Sequence, residues 1–496
     1  MRKLCTFILA LLALLATSTA AQTTNTSPQR FPRRVPSFPI EIEWDASRTY
    51  RQIVVLFDFK DTDFMKSDPK AYYSQVLNEK GFNDGAGPGC VADYILAQSN
   101  GLLHIQFDVF GPYKIKYPAK NNANLLQNNG FQERQEATQL FFEANPTMDY
   151  SIYDWNGDGQ IEQIVYIYAG TGGDTDGDGY IWPNTGMNLS SVKTPDGLDI
   201  RFFSLSAEAC NKNGKMSRGF GTMLHEYAHC LGLPDVYPVQ DVNDIYSVAD
   251  EWDLMDGGNW TNNGWCPPNF TAVEKMHLGW LTPIELPRDT IITGMKPVAD
   301  GGEAYLIRHS EKEYVILENR QQTGWDYGIP GRGLTIWRVQ WDSLRWHYNE
   351  VNGGRLYLQL YFADNLNYQQ WKQLVPDKDK YSLAPAMRNR RLSTAAYPWS
   401  TDSTSFVNDC LTADSSPAPI MRTINENGNY MLNKHIKNIQ MAEDGTISFE
   451  LEKDLSESID AIRSNSNSPA RKILINGTLR ILRGDRTYTV TGTRLE

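Results

Sequence analysis

The sequence predicts an α+β protein in two parts, a mixed β-sheet with helices and then a β-sandwich. Three observations carry this. The runs RQIVVLFDF at 51–59 and IEQIVYIYAG at 161–170 are apolar and β-branched in their middles, as core strands are. Around them, residues 70–79, 90–98, 131–144 and 217–231 place apolar side chains at helical spacing. From about 285 the helical spacing fades. The runs DTIITGM, EAYLIRH, EYVILENR, GLTIWRV, RLYLQLYF and GTISFELE follow, separated by turns rich in Gly, Asn and Asp.

Each element has a local reason. In GLLHIQFDVFGPYKI at 101–115, Leu103, Ile105, Phe107 and Val109 alternate, which predicts a strand or hairpin. In 131–144, Ala137, Leu140 and Phe141 fall on one side of a helix. The segment 217–231 reads as an amphipathic helix, with Ser217 as N-cap and Gly232 as its stop. The polar stretch 456–470 is a linker. The final KILINGTLRILRGDRTYTVTGTRLE alternates strongly, as a short β tail does.

Composition narrows the class. The chain has 496 residues, 41% of them apolar and 11% aromatic, which is globular and long enough for two or three cores. A net charge of −12 argues against nucleic acid as the main partner and suits a protein that collects divalent cations. The opening MRKLCTFILALLALLATSTAAQ has two basic residues, a short apolar run and small residues at Ser18 and Ala20, so 1–21 reads as a secretory signal peptide. Cys5 precedes the apolar run and does not suit lipidation. No other segment is apolar enough to cross a bilayer. Export leaves Cys90, Cys210, Cys230, Cys266 and Cys410, an odd number without a metal-type pair, and the spacing leaves their connectivity open.

The chemistry concentrates in GTMLHEYAHCLGLPDVY at 221–237. On a helix, His225 and His229 lie one turn apart on one face, so one zinc ion can touch both. Glu226, beside the first of them, can reach a water at an open coordination position and move its proton. Gly232 suits a left-handed turn, Pro234 stops the helix, and Asp235 follows at the offset where a third ligand is needed. Cys230 points about 100° around the helix from His229 and is read as packing or disulfide. In EWDLMDGGNW at 251–260, Met255 begins a tight turn suited to an apolar floor beneath a metal.

These pieces resemble the immune inhibitor A family of secreted bacterial metallopeptidases. The matching stretches are VVLFDF, DWNGDGQIEQIVYIYAG, the IWP after DTDGDGY, GTMLHEYAHCLGLPDVY, WDLMDGG, HLGWL at 277–281 and EYVILENRQQTGWDYGIPGRGL, and the likeness covers about 50–450. The resemblance implies a zincin-like catalytic domain followed by β domains. It also implies zinc on His225, His229 and Asp235, with Glu226 as general base and acid.

Two acidic loops suggest a second cation. DWNGDGQIE places Asp154, Asn156 and Asp158 at alternate positions before Gly159, the opening of a calcium loop. A full EF-hand would need Glu where Val165 stands, while Glu162 holds the ninth position. DTDGDGY repeats the pattern with Asp174, Asp176 and Asp178. The same residues also suit solvated turns. Calcium is the expectation, bound structurally near the cleft. His277 and His347 read as ordinary residues, and Tyr237 is near enough in sequence to be considered for steadying an oxyanion.

The expected organisation is thus a signal at 1–21, an arm at 22–44, a zincin-like metallopeptidase domain at 45–285, a β-sandwich at 286–455, a linker at 456–470 and a tail at 471–496. The expected activity is that of a secreted zinc endopeptidase acting on proteins or peptides. A non-catalytic surface adhesin on the same scaffold and a metal-dependent amidase of cell-wall material are the rival readings. The tail resembles short sorting domains that lead to cell-surface attachment, and a simple β addition to the sandwich fits it equally.

Overall fold

The computed structural model describes residues 43–120, 129–177, 179–209, 218–239, 247–287, 289–365, 394–400, 407–432, 434–453 and parts of 471–495. The expected signal, most of the 22–44 arm, the 456–470 linker, Asp178, Cys210 and Ser217 lie outside the described residues.

The first part is a five-stranded sheet in the order β2-β1-β3-β5-β4. Its strands are β1 (Thr49–Asp58), β2 (His104–Lys114), β3 (Gln160–Thr171), β4 (Asn184–Lys193) and β5 (Asp199–Ala209). Strand β1 runs parallel to β2 and β3, and β3 parallel to β5. Only the edge strand β4 is antiparallel. Parallel strands are covered on both faces, which explains the unbroken apolar middle of β1. Alternate side chains of that strand enter two different cores. Val54 and Leu56 join α1 (Pro69–Asn78), α2 (Val91–Gln98) and the motif helix, while Ile53, Val55 and Phe57 meet Ala137 and Phe141 of α3 (Phe131–Ala144). The expected strands and helices are present within a few residues. The 101–115 segment is one strand and not a hairpin. Strands β4 and β5 have no clear signal, because polar residues, and in β4 a glycine, hide the alternation.

A single turn, α4 (Gly173–Asp176), precedes β4, and the motif helix α5 spans Gly221–Cys230. Its N-cap position is Phe220, three residues after the expected Ser217, and no side chain caps it. All ten of its residues are buried, so it is not the half-exposed amphipathic helix that the spacing suggested. Other segments cover the face that carries the histidines. The start must also be small, since a Cβ on Gly221 would lie 2.2 Å from the Asn259 carbonyl oxygen.

The second part has two sheets. One runs β11-β10-β9-β8-β6 and the other β14-β15-β7. Here β6 is Ile284–Glu285, β7 Thr290–Met295, β8 Tyr305–Arg308, β9 Glu313–Arg320, β10 Gly333–Gln340 and β11 Leu358–Leu360. A small pair, β12 (Trp399–Ser400) with β13 (Val407–Asn408), precedes β14 (Lys434–Met441) and β15 (Ile447–Lys453). Val315, Leu317, Leu334 and Ile336 of the first sheet share one core with Ile436, Ile447, Phe449 and Leu451 of the second. RLYLQLYF yields only the three residues of β11. The tail folds as a four-stranded antiparallel sheet of its own, β16 to β19, between Arg471 and Leu495. Among the described cysteines, Cys90, Cys230, Cys266 and Cys410 form no disulfide.

The two parts are not independent. The other face of β9 and β10 sends Ile316, Trp337 and Val339 into the core that holds Val54 and Leu224. A buried ionic cluster crosses the same boundary. Arg320 grips Asp326 through Nε at 2.7 Å and Nη2 at 2.6 Å. The Asp326 Oδ1 accepts the Asn269 N–H, and Glu318 accepts the Ala272 N–H, which opens helix α6 (Ala272–His277). A buried guanidinium without its carboxylate is costly. Replacing Asp326 by Ala is therefore expected to destabilise the whole chain by about 3–5 kcal/mol. Urea unfolding followed by tryptophan fluorescence would measure this, and a change below about 1 kcal/mol would contradict the cluster's role.

Candidate metal centre

Helix α5 and the turn after it build the centre. His225 and His229 project one turn apart, as the spacing requires. Gly232 has φ +102°, a conformation open to glycine, and it swings the chain back so that Asp235 faces the helix. The Asp235 Oδ1 lies 3.1 Å from His225 Nε2 and 3.2 Å from His229 Nε2. All three side chains are buried. Among the described residues, these are the only three His, Cys, Asp or Glu side chains gathered closely enough to hold one metal ion.

The ring orientations follow from backbone carbonyls. His225 Nδ1 is 2.9 Å from the Leu254 carbonyl, and His229 Nδ1 is 2.7 Å from the Leu233 carbonyl. A carbonyl only accepts, so each Nδ1 bears a hydrogen, and wherever the rings are neutral each turns an Nε2 lone pair toward Asp235. The Asp235 Oδ1 then has no donor, an orphaned buried oxygen. Three lone pairs converging on one point fit a divalent cation. In its absence a proton serves instead. Burial opposes a charge on His225, but the hydrogen bond and charge of Asp235 outweigh it and raise the imidazole to about 9. Burial would also raise Asp235, yet His229 and His225 hold its carboxyl well below the usual range.

Met255 is fully buried, and the turn it begins does more than fill space. Leu254 fixes His225, and the Met255 carbonyl accepts the Val236 N–H at 2.8 Å. The turn thus holds one histidine of the group and the neighbour of its aspartate.

Glu226 is buried beside the group, and burial raises its carboxyl against the pull of His225 and His229. Thr185 of the edge strand β4 holds it, with Oγ1 2.9 Å from Glu226 Oε2 and 2.7 Å from its carbonyl. Tyr237 stacks nearly parallel to His225, its ring 6.2 Å away at 13°. Burial and then Asp235 push its phenol well above the ordinary value, so it stays protonated. Beside these lies a cleft of about 570 Å³, lined by His225, Glu226, Tyr237, Trp182 and Trp260. Burial lowers the His277 imidazole to about 4 and so favours its neutral form.

Thr185, Asn349 and Asn352 were missed by sequence reasoning. Asn349 donates from Nδ2 to Asp235 Oδ2 at 2.6 Å, from 114 residues away in the chain. Only the sequence motif was legible, and none of these three lies in it.

The acidic loops fold differently from the centre. Asp154 caps its own turn, accepting the N–H groups of Gly157, Asp158 and Gly159. Asn156 and Asp158 accept the N–H groups of Asp158 and Gln160. Asp174 pairs with Arg218 at 2.8 Å, while one oxygen each of Asp174 and Asp176 has no hydrogen-bond partner. These loops flank β3, as expected, but their Asp and Glu side chains do not gather into a metal group among the described residues. Glu162 instead accepts the Trp155 N–H, and burial pushes its carboxyl up to about 8. A carboxyl raised in the folded state binds protons that the unfolded chain has lost. The stability it contributes is therefore present below about 4.5 and lost as pH rises through about 8. In chelator, thermal melts of the wild type should fall over that window, and Glu162→Gln should flatten the fall. Identical pH profiles for the two proteins would contradict the assignment.

No family model matches the chain. It is 25% identical over 270 residues to the pre-pro-metalloprotease PrtV of Vibrio cholerae serotype O1, a match covering 49% of this chain and 28% of that protein. It is 29% identical over 148 residues to immune inhibitor A of Bacillus thuringiensis subsp. alesti, covering 25% and 20% respectively. The chain is a distant relative of metalloproteases. It spans less than a third of the length of these curated relatives.

Proposed function

We propose that the chain is a secreted zinc endopeptidase of the immune inhibitor A type, with a zincin-like catalytic part and a β-sandwich. The single observation that carries this reading is the convergence of His225, His229 and Asp235 at the edge of a cleft that His225 and Glu226 line. Two imidazoles and a carboxylate are a zinc donor set that leaves one position free. Zinc held there supplies Lewis acidity, acidifying a water and polarising the scissile carbonyl.

The chain's own residues do the rest. Glu226 takes a proton from the attacking water, and its raised carboxyl then returns that proton to the leaving amine. Thr185 keeps the Glu226 carboxyl turned to the cleft. Tyr237, protonated and facing the cleft, donates toward the oxyanion that forms. Trp182 and Trp260 offer apolar walls for substrate side chains. In the same reading the acidic loops take calcium, and the β parts bind substrate or the cell surface.

Purified protein is expected to bind about one zinc per chain and to cleave an unfolded protein such as casein, with loss of cleavage in chelator. Glu226→Gln should keep the zinc and lower kcat by roughly 10²–10⁴-fold. Asp235→Ala should weaken zinc binding by more than the ~10–100-fold typical of losing a ligand's hydrogen-bond partner. Chelator-insensitive cleavage, or full activity in Glu226→Gln, would sink the mechanism.

A further inference from the structure

Asp235 has two carboxylate oxygens, and a four-coordinate zinc site with an open position uses one of them. Something must occupy the other. Asn349 does so from the second part of the chain, donating from Nδ2 to Asp235 Oδ2 at 2.6 Å. Its Oδ1 accepts the Asp235 backbone N–H, also at 2.6 Å. One side chain therefore grips both the carboxylate and the backbone of the ligand.

Asn349 is built for this. It sits just after helix α7 (Ser343–His347), in the left-handed conformation at φ +57°, which Asn adopts more readily than most residues. The Glu350 N–H returns to the Arg345 carbonyl at 2.8 Å and closes the loop. Three residues on, buried Asn352 donates to the Val236 carbonyl at 2.7 Å. Its Oδ1 accepts the Tyr357 and Leu358 N–H groups, which ties the loop to β11. With the Met255 carbonyl on the Val236 N–H, the ligand segment is held from both sides.

We propose that Asn349 is a positioning residue that fixes Asp235 as a one-oxygen metal ligand, so that the β part sets the metal affinity of the helix part. This rests on the metal reading above. Partners that orient a ligand in this way are typically worth 10–100-fold in metal affinity.

The test uses the full chain and zinc alone, with affinity read by chelator competition and the ligand geometry by the visible spectrum of the cobalt-substituted protein. Asn349→Gly removes the amide and still accepts φ +57° without strain. Asn349→Asp keeps the shape but sets an oxygen where the donor stood. Both should raise the zinc Kd by about 10–100-fold and alter the cobalt bands. Wild-type affinity in both variants overturns the proposal. So does a lowered melting temperature of the metal-free protein with unchanged zinc affinity, which would make Asn349 structural only. Where the Gly variant fails to fold, the Asp variant decides alone. A wild-type protein that takes up no zinc would instead sink the metal reading itself.

Discussion

One buried oxygen organises this molecule. The Asp235 Oδ1 lies about equally far from two imidazole nitrogens, whose own hydrogens are turned away to backbone carbonyls. Such an arrangement is unfavourable unless a positive charge fills it. The surrounding structure accordingly leaves the three groups little freedom. Leu233 and Leu254 fix the rings, Met255 and Asn352 hold Val236, and Asn349 holds Asp235. These partners come from three separate stretches of the chain.

The same constraint explains why the two parts are joined so tightly. A loop that orients a buried carboxylate must itself be rigid. The loop at 349–352 hangs between β10 and β11, so its precision depends on how that sheet meets the helix part. The shared core around Trp337 and Leu224, and the buried Arg320 cluster with its bonds to Asn269 and Ala272, fix that meeting. A boundary near 285 is visible as a change of texture in the sequence. Energetically the chain is continuous across it.

The fold and the centre were legible to different depths. Strands β1 and β3 and helices α1 to α3 announce themselves because burial imposes an apolar run or a regular spacing. Strands β4 and β5 do not. In the edge strand β4, Thr185 serves Glu226, so its composition follows contacts and not a repeat, and in β5 Ser204 and Ser206 interrupt the apolar run. The helix α5 was found but misjudged in exposure, since spacing reports which face carries histidines and not what later covers it. The acidic loops read as cation sites, while Asp154 in the structure spends its oxygens on its own turn.

The sequence by itself determined the donor types and their local offsets. A helix puts His225 and His229 on one face wherever it is placed, Gly232 permits the turn, and Asp235 is the first carboxylate after it. Tertiary structure alone decided which oxygen of Asp235 faces the histidines, that His225 turns its Nδ1 to Leu254, and that Thr185, Asn349 and Asn352 take part. The reason is range. Local geometry follows from backbone dihedrals within a few residues, whereas a hydrogen bond between residues 114 apart depends on the packing of two sheets and leaves no periodic trace in the chain.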